Sequence, residues 1–340
     1  MTASKAEPAT IRDVARSTNL SVASVSRALN GHSNVRPDTR ARVIEAAERL
    51  GYVPNAAARS LSLARSHAVG VVLPDLHGEF FSEIVRGMDR VASEKGYQLL
   101  LSNMHADATM AAHAMSAMRG RVDGLIVMAP QLSYELLQKT LPASLPVVMI
   151  NSPQGTGHSN LRIDNAQGAR MTVEHLLATG RTAIVHIAGA QDNIDGHERR
   201  AGFEAAMATL APHLPARVIE GDFLEATGTR IVAQLLADGA HFDAIHAAND
   251  MMALGALMAL RDAGVVVPDD VAVTGFDDIP LARYMALTTV RVDLAGVGAR
   301  AVSALLQTIE DADARHDSAM IKPELVVRGT TAPVIAPTMR

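Results

Sequence analysis

Residues Thr10 to Leu63 read TIRDVARSTNLSVASVSRALNGHSNVRPDTRARVIEAAERLGYVPNAAARSLSL. The stretch predicts three short helices and then a fourth. Thr10, with Asp13 three residues on, makes a capping-box-like start, and Ile11, Val14 and Ala15 follow at helical spacing. Ser17-Thr18-Asn19 predicts the turn that ends this helix. Leu20-Ser21 starts the next, with Ser21 as N-cap. On that second helix Val25, Ala28 and Leu29 share an inward face, while Val22, Ala23, Ser26 and Arg27 point outward. Arg27 is the only charge among the outward four. Two helices joined by so short a turn match a helix-turn-helix, whose second helix is shaped for the DNA major groove. Pro37 opens a third helix, rich in Arg and Ala, that stops at Gly51. Pro54-Asn55 begins a fourth, with Asn55 as cap and Ala56 to Leu61 as a run of high helix propensity. That last helix is too short to be stable alone in water.

Charge supports the same reading once it is divided along the chain. The net charge of −5 hides a headpiece of +5 over residues 1–66 and a remainder of −10. A basic end on an acidic body directs the phosphate backbone to one place. With 340 residues, 48% of them hydrophobic, the chain supports two or three domains with ample core. It has no cysteine, so disulfide frameworks and thiolate chemistry are excluded. No apolar run nears the roughly 20 residues of a membrane span, and the polar start MTASKAEPATIRD has no signal-peptide core. A soluble, cytoplasmic protein is expected.

From Ala68 the pattern alternates between apolar strands and amphipathic helices. Strands are expected at 68–73, 98–102, 124–128 and 147–150, with helices at 79–95, 108–119 and 132–140 between them. After Asp164 the order repeats: helix 166–179, strand 183–187, helix 198–210, strand 217–220, helix 225–237, strand 244–247, helix 251–263 and strand 271–274. Alternation of this kind implies parallel sheets, and two sets imply two doubly wound lobes with ligands at the carboxyl ends of the strands.

Polar and aromatic residues collect where those strands end. They include Asp75, Phe80 and Phe81 after the first strand, then Asn151, Asp164-Asn165, Asn193 to Arg199, Asp222-Phe223, Asn249-Asp250 and Asp277-Asp278. Carboxylates, amides and one arginine around aromatic rings suit a polyol. Each hydroxyl can donate to a carboxylate while accepting from an amide or Arg, and a C–H face stacks on a ring. Alternatives stand beside this reading. Asp250 and Asp278 also fit as caps of the helices that follow them, Asp164-Asn165 as a turn at a crossover, and His77 and Glu79 as solvated loop residues.

Three ordered motifs resemble the lactose/galactose repressor (LacI/GalR) family. They are Ile11-Arg12-Asp13-Val14-Ala15, Val25-Ser26-Arg27-Ala28-Leu29-Asn30, and Gly51-Tyr52-Val53-Pro54-Asn55, and the resemblance continues to about Thr331. It implies an N-terminal all-α helix-turn-helix headpiece with a hinge helix, then an α/β core of two doubly wound parallel-sheet lobes, periplasmic-binding-protein-like (type I). The implied boundaries are headpiece 1–54, hinge 55–66, core 67–331 and tail 332–340. Within the core, the N-lobe takes about 67–163 and 293–321, and the C-lobe about 164–290 and 322–331, the last strand being Glu324–Val327.

The resemblance also assigns residues. DNA contacts are implied for Thr10, Ser21, Val22, Ala23, Ser24, Ser26, Arg27 and Asn30, and in the hinge for Asn55, Arg59 and Leu61. Leu61 takes the position of a wedge that enters the minor groove when two hinge helices meet; packing on its own headpiece is the alternative. Ligand contacts are implied for Asp75, Phe80, Phe81, Met128, Asn151, Asp164, Arg199, Phe223, Asn249 and Asp277. Met128 departs from the family pattern, since some sugar-responsive relatives are polar there, and this hints at an apolar edge on the ligand. The implied partners are palindromic double-stranded operator DNA, a small effector of sugar type and a second copy of the chain, with no membrane and no cofactor. The Pro/Thr-rich tail has no leucine heptads, so no tetramerising coiled coil is expected.

Three function classes are weighed. A ligand-controlled transcriptional regulator uses every motif, with a carbohydrate effector first and a nucleobase-type corepressor second. A sugar-binding transport protein leaves the headpiece unexplained. An enzyme is disfavoured, because the sequence holds no Walker loop, zinc pattern or nucleophile elbow.

Overall fold

The computed structural model describes residues 9–32, 34–53, 65–76, 78–105, 107–311 and 318–331. The expected hinge helix, with Asn55, Arg59 and Leu61, lies outside the described residues, as does the tail from 332. The chain divides into two compact units, Met1–His67 and Ala68–Arg340.

In the first unit three helices, α1 (Ile11–Thr18), α2 (Val22–Leu29) and α3 (Pro37–Leu50), enclose a small core of Val14, Ala15, Val25, Ala28, Val43, Ala46 and Ala47. The Asp13 carboxylate accepts from Thr10 N at 2.9 Å and from Thr10 Oγ1 at 2.7 Å, closing the start of α1. Those bonds hold the Asp13 carboxyl below its usual range, with Arg16 adding to the pull. Ser17 and Thr18, expected in the turn, are helical instead. The break falls at Asn19, which takes the left-handed conformation at φ 53°. An Asn tolerates that region at little cost. Ser21 caps α2 by accepting from Ser24 N at 3.1 Å. The third helix is tied back by Arg42, which donates to Thr18 O at 2.9 Å, and by Arg49, which donates to Ser17 Oγ at 2.8 Å.

The second unit contains two six-stranded sheets. The N-lobe sheet joins β1 (Ala68–Leu73), β2 (Gln98–Asn103), β3 (Gly124–Met128), β4 (Val147–Ile150), β5 (Ser159–Ile163) and β11 (Ala319–Ile321) in the order β11-β5-β4-β3-β1-β2. The C-lobe sheet joins β6 (Ile184–Ile187), β7 (Arg217–Ile219), β8 (Ala244–Ala247), β9 (Ala272–Asp277), β10 (Thr288–Arg291) and β12 (Glu324–Val326) in the order β12-β10-β9-β8-β6-β7. All pairings are parallel except β10 with β12, which is antiparallel. The parallel reading of the sheets holds but for this edge strand, which the chain enters through a two-residue link from β11 in the other sheet.

Helices cover both faces of each sheet, as buried parallel strands require. In the N-lobe α4 (Glu79–Glu94) packs with α12 (Leu294–Glu310) on one face, and α5 (Ala108–Met118) with α6 (Tyr134–Thr140) on the other. The first pair approaches closely. A Cβ on Gly87 would sit 1.9 Å from Ala295 O, and one on Gly298 2.1 Å from Ile84 O. In the C-lobe α7 (Asn165–Ala178) and α8 (Ile194–Leu210) cover one face, and α9 (Glu225–Ala237) with α10 (Asp250–Asp262) the other. The short helix α11 (Pro280–Tyr284) follows β9.

A polar row runs through the apolar C-lobe core. His186 on β6, His246 on β8 and Thr274 on β9 are register partners on adjacent strands, each fully buried. The two imidazoles stack at 4.8 Å between ring centroids, and Phe203 from α8 stacks on His186 at 4.8 Å. His186 Nδ1 lies 2.9 Å from His246 O, and His246 Nδ1 lies 3.2 Å from Thr274 Oγ1. Both Nε2 atoms are buried without a partner. Burial pushes the His186 imidazole down to about 4 and holds His246 well below the usual range. Both rings are therefore neutral at pH 7.

Candidate functional site

In each lobe the order of strands reverses once, between β1 and β3 and between β6 and β8. The carboxyl ends beside such a switch point leave a crevice. A cavity of about 720 Å³ lies at these ends in the second unit. From the N-lobe come Asp75 and Glu79, the rings of Phe80 and Phe81, and His105, Met128 and Gln131. From the C-lobe come Asp192, Asn193 and Asp195, then Arg199, Asp222, Phe223, Glu225, Asn249 and Asp277. Phe80 and Phe81 meet edge to face at 5.1 Å, giving the N-lobe wall an aromatic corner.

Arg199 is the centre of the polar wall. It leaves α8 one turn before Phe203 and is 2% exposed. Its guanidinium carbon lies over the Phe276 ring, 3.7 Å from the centroid. Nε donates to Asn165 Oδ1 at 2.9 Å, and a terminal nitrogen donates to Ala248 O at 2.6 Å. The other terminal nitrogen stands 3.1 Å from Asp277 Oδ1, an ion pair outside hydrogen-bond geometry that leaves this buried oxygen without a donor. Burial pushes the Asp277 carboxyl up to about 7, against the pull of Arg199, while neighbouring Asp195 pushes the same way as burial.

A second set of bonds fixes that wall. Asp195 accepts from Asn165 Nδ2 at 2.8 Å and from Asn151 Nδ2 at 3.2 Å. Burial raises its carboxyl pKa, with Arg199 opposing. Asn249 caps α10 by accepting from Met252 N at 3.0 Å and donates to Phe223 O at 2.9 Å, so it carries the aromatic as well as the helix. Phe223 and Asp277 hold φ of 71° and 111°, conformations that cost a non-glycine residue on the order of 1–3 kcal/mol. Strain of that size at two cavity positions marks a site where side-chain direction matters more than backbone ease.

Of the expected ligand residues, Asp75, Phe80, Phe81, Met128, Arg199, Phe223, Asn249 and Asp277 meet around the cavity, and Asn151 and Asp164 do not line it. Asn151, 2% exposed with φ 40°, spends its amide on Ile163 N at 3.1 Å and on Asp195, bracing the crossover between the lobes. Asp164 caps α7 by accepting from Gln167 N at 3.2 Å, so at the crossover it opens a helix and makes no turn with Asn165. Neither Asp250 nor Asp278 caps a helix. Asp250 accepts from Ile279 N at 2.9 Å and from Thr289 Oγ1, and Asp278 pairs with Arg291 and Arg328 at 2.7 Å each. Glu79 is no mere loop residue: it accepts from Leu281 N at 2.9 Å across the mouth of the cleft. Among the cavity residues that the sequence-based assignments left out is Asp195. It stands four residues before Arg199 on one helix, a spacing that puts both on one face.

In the headpiece Thr10, Ser21, Ala23 and Arg27 are exposed and Val22 is 42% exposed. Ser24, Ser26 and Asn30 are half-buried. Part of their hydrogen-bonding capacity is internal, with Ser21 Oγ 2.9 Å from Ser24 Oγ and Asn30 donating to Ser26 Oγ at 3.3 Å. Among the described residues Arg27 bonds only its own helix, Nε to Ala23 O at 3.3 Å.

A helical headpiece with one exposed recognition face, on the same chain as a two-lobe body clefted at its strand ends, defines a ligand-responsive DNA-binding protein. Residues 10–55 match the bacterial regulatory proteins of the lacI family, and 173–331 match a periplasmic binding protein-like domain. The chain is 34% identical to the ribose operon repressor of Escherichia coli K12, over 95% of this chain and 99% of that one. It is 34% identical to the transcriptional repressor PurR of Aliivibrio fischeri, over 95% and 98%. The lac repressor dimer solved with operator and the anti-inducer ONPF superposes with a TM-score of 0.86 at 28% identity, over 96% of this chain and 99% of that one. The protein belongs to the LacI family of bacterial regulatory proteins and is a DNA-binding transcriptional regulator. Among the described residues no helix is long and apolar enough to cross a membrane.

Proposed function

We propose that this regulator is a homodimeric, cytoplasmic repressor of carbohydrate-utilisation genes, without catalytic activity, released from its operator by a small sugar or sugar derivative. The cavity carries the reading: hydroxyl-binding groups (Arg199, Asn249, Asp277) on one wall face aromatic rings on the other. The name of the ribose operon repressor, similar over nearly the whole chain, supports it. Met128 with Phe80 and Phe81 favours a second effector class, a flat nucleobase acting as corepressor. Thermal shift over a panel of sugars and nucleobases, followed by operator gel shift, separates them. A ligand at 100 times its Kd adds roughly 2.7 kcal/mol of stability, and only an inducer lowers operator binding. A panel that leaves the melting temperature unmoved for every sugar defeats the carbohydrate reading.

The DNA side rests on the headpiece 1–54 and hinge 55–66. Arg27 is to read a guanine edge, and Val22 and Ala23 are to touch thymine methyls. Arg27→Ala is then expected to cost about 1–3 kcal/mol and relax one position in each half-site. Equal affinity of Arg27→Ala and wild type across operator variants speaks against the assignment. In the hinge, Leu61 is to wedge the centre of a palindrome. Ala58→Gly should raise the cost of each hinge helix by roughly 1 kcal/mol, so a dimer loses about 2 kcal/mol of operator affinity while ligand affinity off DNA stays put. Unchanged operator titrations would remove the hinge from the mechanism. Ligand can shift the DNA equilibrium only by as much as it prefers one arrangement of the two lobes.

A further inference from the structure

The cleft carries more carboxyl groups than hydroxyl recognition requires. Among the described residues that line it, seven are carboxylates and one, Arg199, is a guanidinium. That guanidinium is already committed to Asn165, Ala248 and Asp277 and lies against Phe276. Most of the carboxylates have protein donors: Glu79 takes Leu281 N, Asp222 takes Leu224 N and Thr227, and Glu225 takes Thr229. Asp277 has only the Arg199 ion pair, at 3.1 Å. It is 4% exposed, lines the cavity, and has a buried oxygen with no hydrogen bond. A buried acceptor in that state gains most from a donor on the ligand. An anionic ligand group in the same place would face Asp277 and Asp195 at reduced dielectric, with Arg199 already committed elsewhere.

We propose that the cleft selects its effector by charge: a neutral or amine-bearing ligand sets a hydroxyl or ammonium donor on Asp277, and phosphorylated or carboxylated analogues are refused. The scaffold of the ligand rests on the function proposed above; the charge rule holds for a sugar or a nucleobase alike.

The test titrates the full-length protein by calorimetry with matched sets. Ribose is compared with ribose 5-phosphate; glucose and galactose are compared with their 2-amino, 6-phosphate and uronate forms; adenine and guanine are compared with their 5′-monophosphate nucleotides. The expected result is that the neutral or amine form of whichever scaffold binds is preferred over its anionic form by roughly tenfold or more. Asp277→Asn should weaken the neutral form and narrow that preference. An anionic form that binds as well as its neutral parent overturns the proposal, and so does a preference unchanged in Asp277→Asn. Binding by a purine base with no sugar binding defeats the carbohydrate reading but leaves the charge rule to be judged on base against nucleotide. Silence across all sets defeats both.

Discussion

Replacing Arg199 by Ala is expected to cost the two-lobe body about 3–5 kcal/mol, the range for removing one partner of a buried ion pair. The reason lies in what remains. Asp277 and Asp195 stay buried, and both carry carboxyls that burial already pushes upward and Arg199 pulls back, with Asn165 and Arg162 adding to the pull on Asp195. Phe276 loses the cation on its face, and Ala248 O and Asn165 Oδ1 lose their donors. Urea unfolding followed by a probe in the body measures the loss. Arg199→Lys should recover only part, because an ammonium can neither fork nor lie flat on a ring. Asp277→Asn in the Arg199→Ala background should recover more, and the cycle isolates the coupling between the two. The ligand response should vanish in Arg199→Ala while operator binding survives, since the headpiece has its own core. A loss under about 1 kcal/mol, the size of an exposed pair, would show that Arg199 is not the brace of this wall.

Acid should expose the histidine row. His186 sits at about 4 in the folded protein, against an unfolded value near 6.5, because burial penalises its charged form. Between those values the unfolded chain binds a proton that the native ring does not, so stability falls as pH drops through the window. One such group contributes on the order of 3 kcal/mol to that fall. The buried acids act with the opposite sign. Asp277 is raised from 3.8 to about 7, so its contribution is present at low pH and is lost as pH rises through that interval. Asp195 and Asp250 are raised as well and act in the same sense. Wild-type stability is therefore a difference of two trends, and the variant His186→Gln separates them. Its stability relative to wild type should improve by on the order of 3 kcal/mol between pH 6.5 and pH 4, whatever packing it loses at neutral pH. Unfolding curves for both proteins across that range decide the matter, and a pH-independent gap between them would mean that the ring is not held neutral by the fold.

The sequence was legible wherever a segment's fate depended on its own pattern. AVGVVL at Ala68–Leu73 is an apolar run with turn residues after it, and it forms the strand with the expected ends. Glu225–Ala237 and Ala244–Ala247 likewise form as read. The helix expected from Glu198 starts a turn earlier, at Ile194, because Asn193 caps it by accepting from Asp195 N at 2.9 Å and Gly196 N at 3.3 Å. The strand expected at 271–274 runs on to Asp277. SNLRI, TTVR and AMI gave no strand signal, yet they are β5, β10 and β11. They are short and lie beside the lobe crossovers, so their strand state comes from neighbours that hydrogen-bond to them, β11 pairing with β5 across about 160 residues of chain.

By itself, then, the sequence determined the helix-turn-helix, the succession of strands and helices, and the chemistry gathered at strand ends, because periodicity, caps and residue type are local properties. It left the direction of each polar side chain undecided. Asn151 and Asp277 both end strands as polar residues, but one backbone turns its amide into the crossover and the other holds its carboxylate on the cavity beside Arg199. His186 and His246 each look like a lone histidine in an apolar strand, and only the β6–β8 register stacks them. Such outcomes depend on pairings between segments far apart in the chain, whose closure is governed by the packing of the whole lobe and not by any one segment.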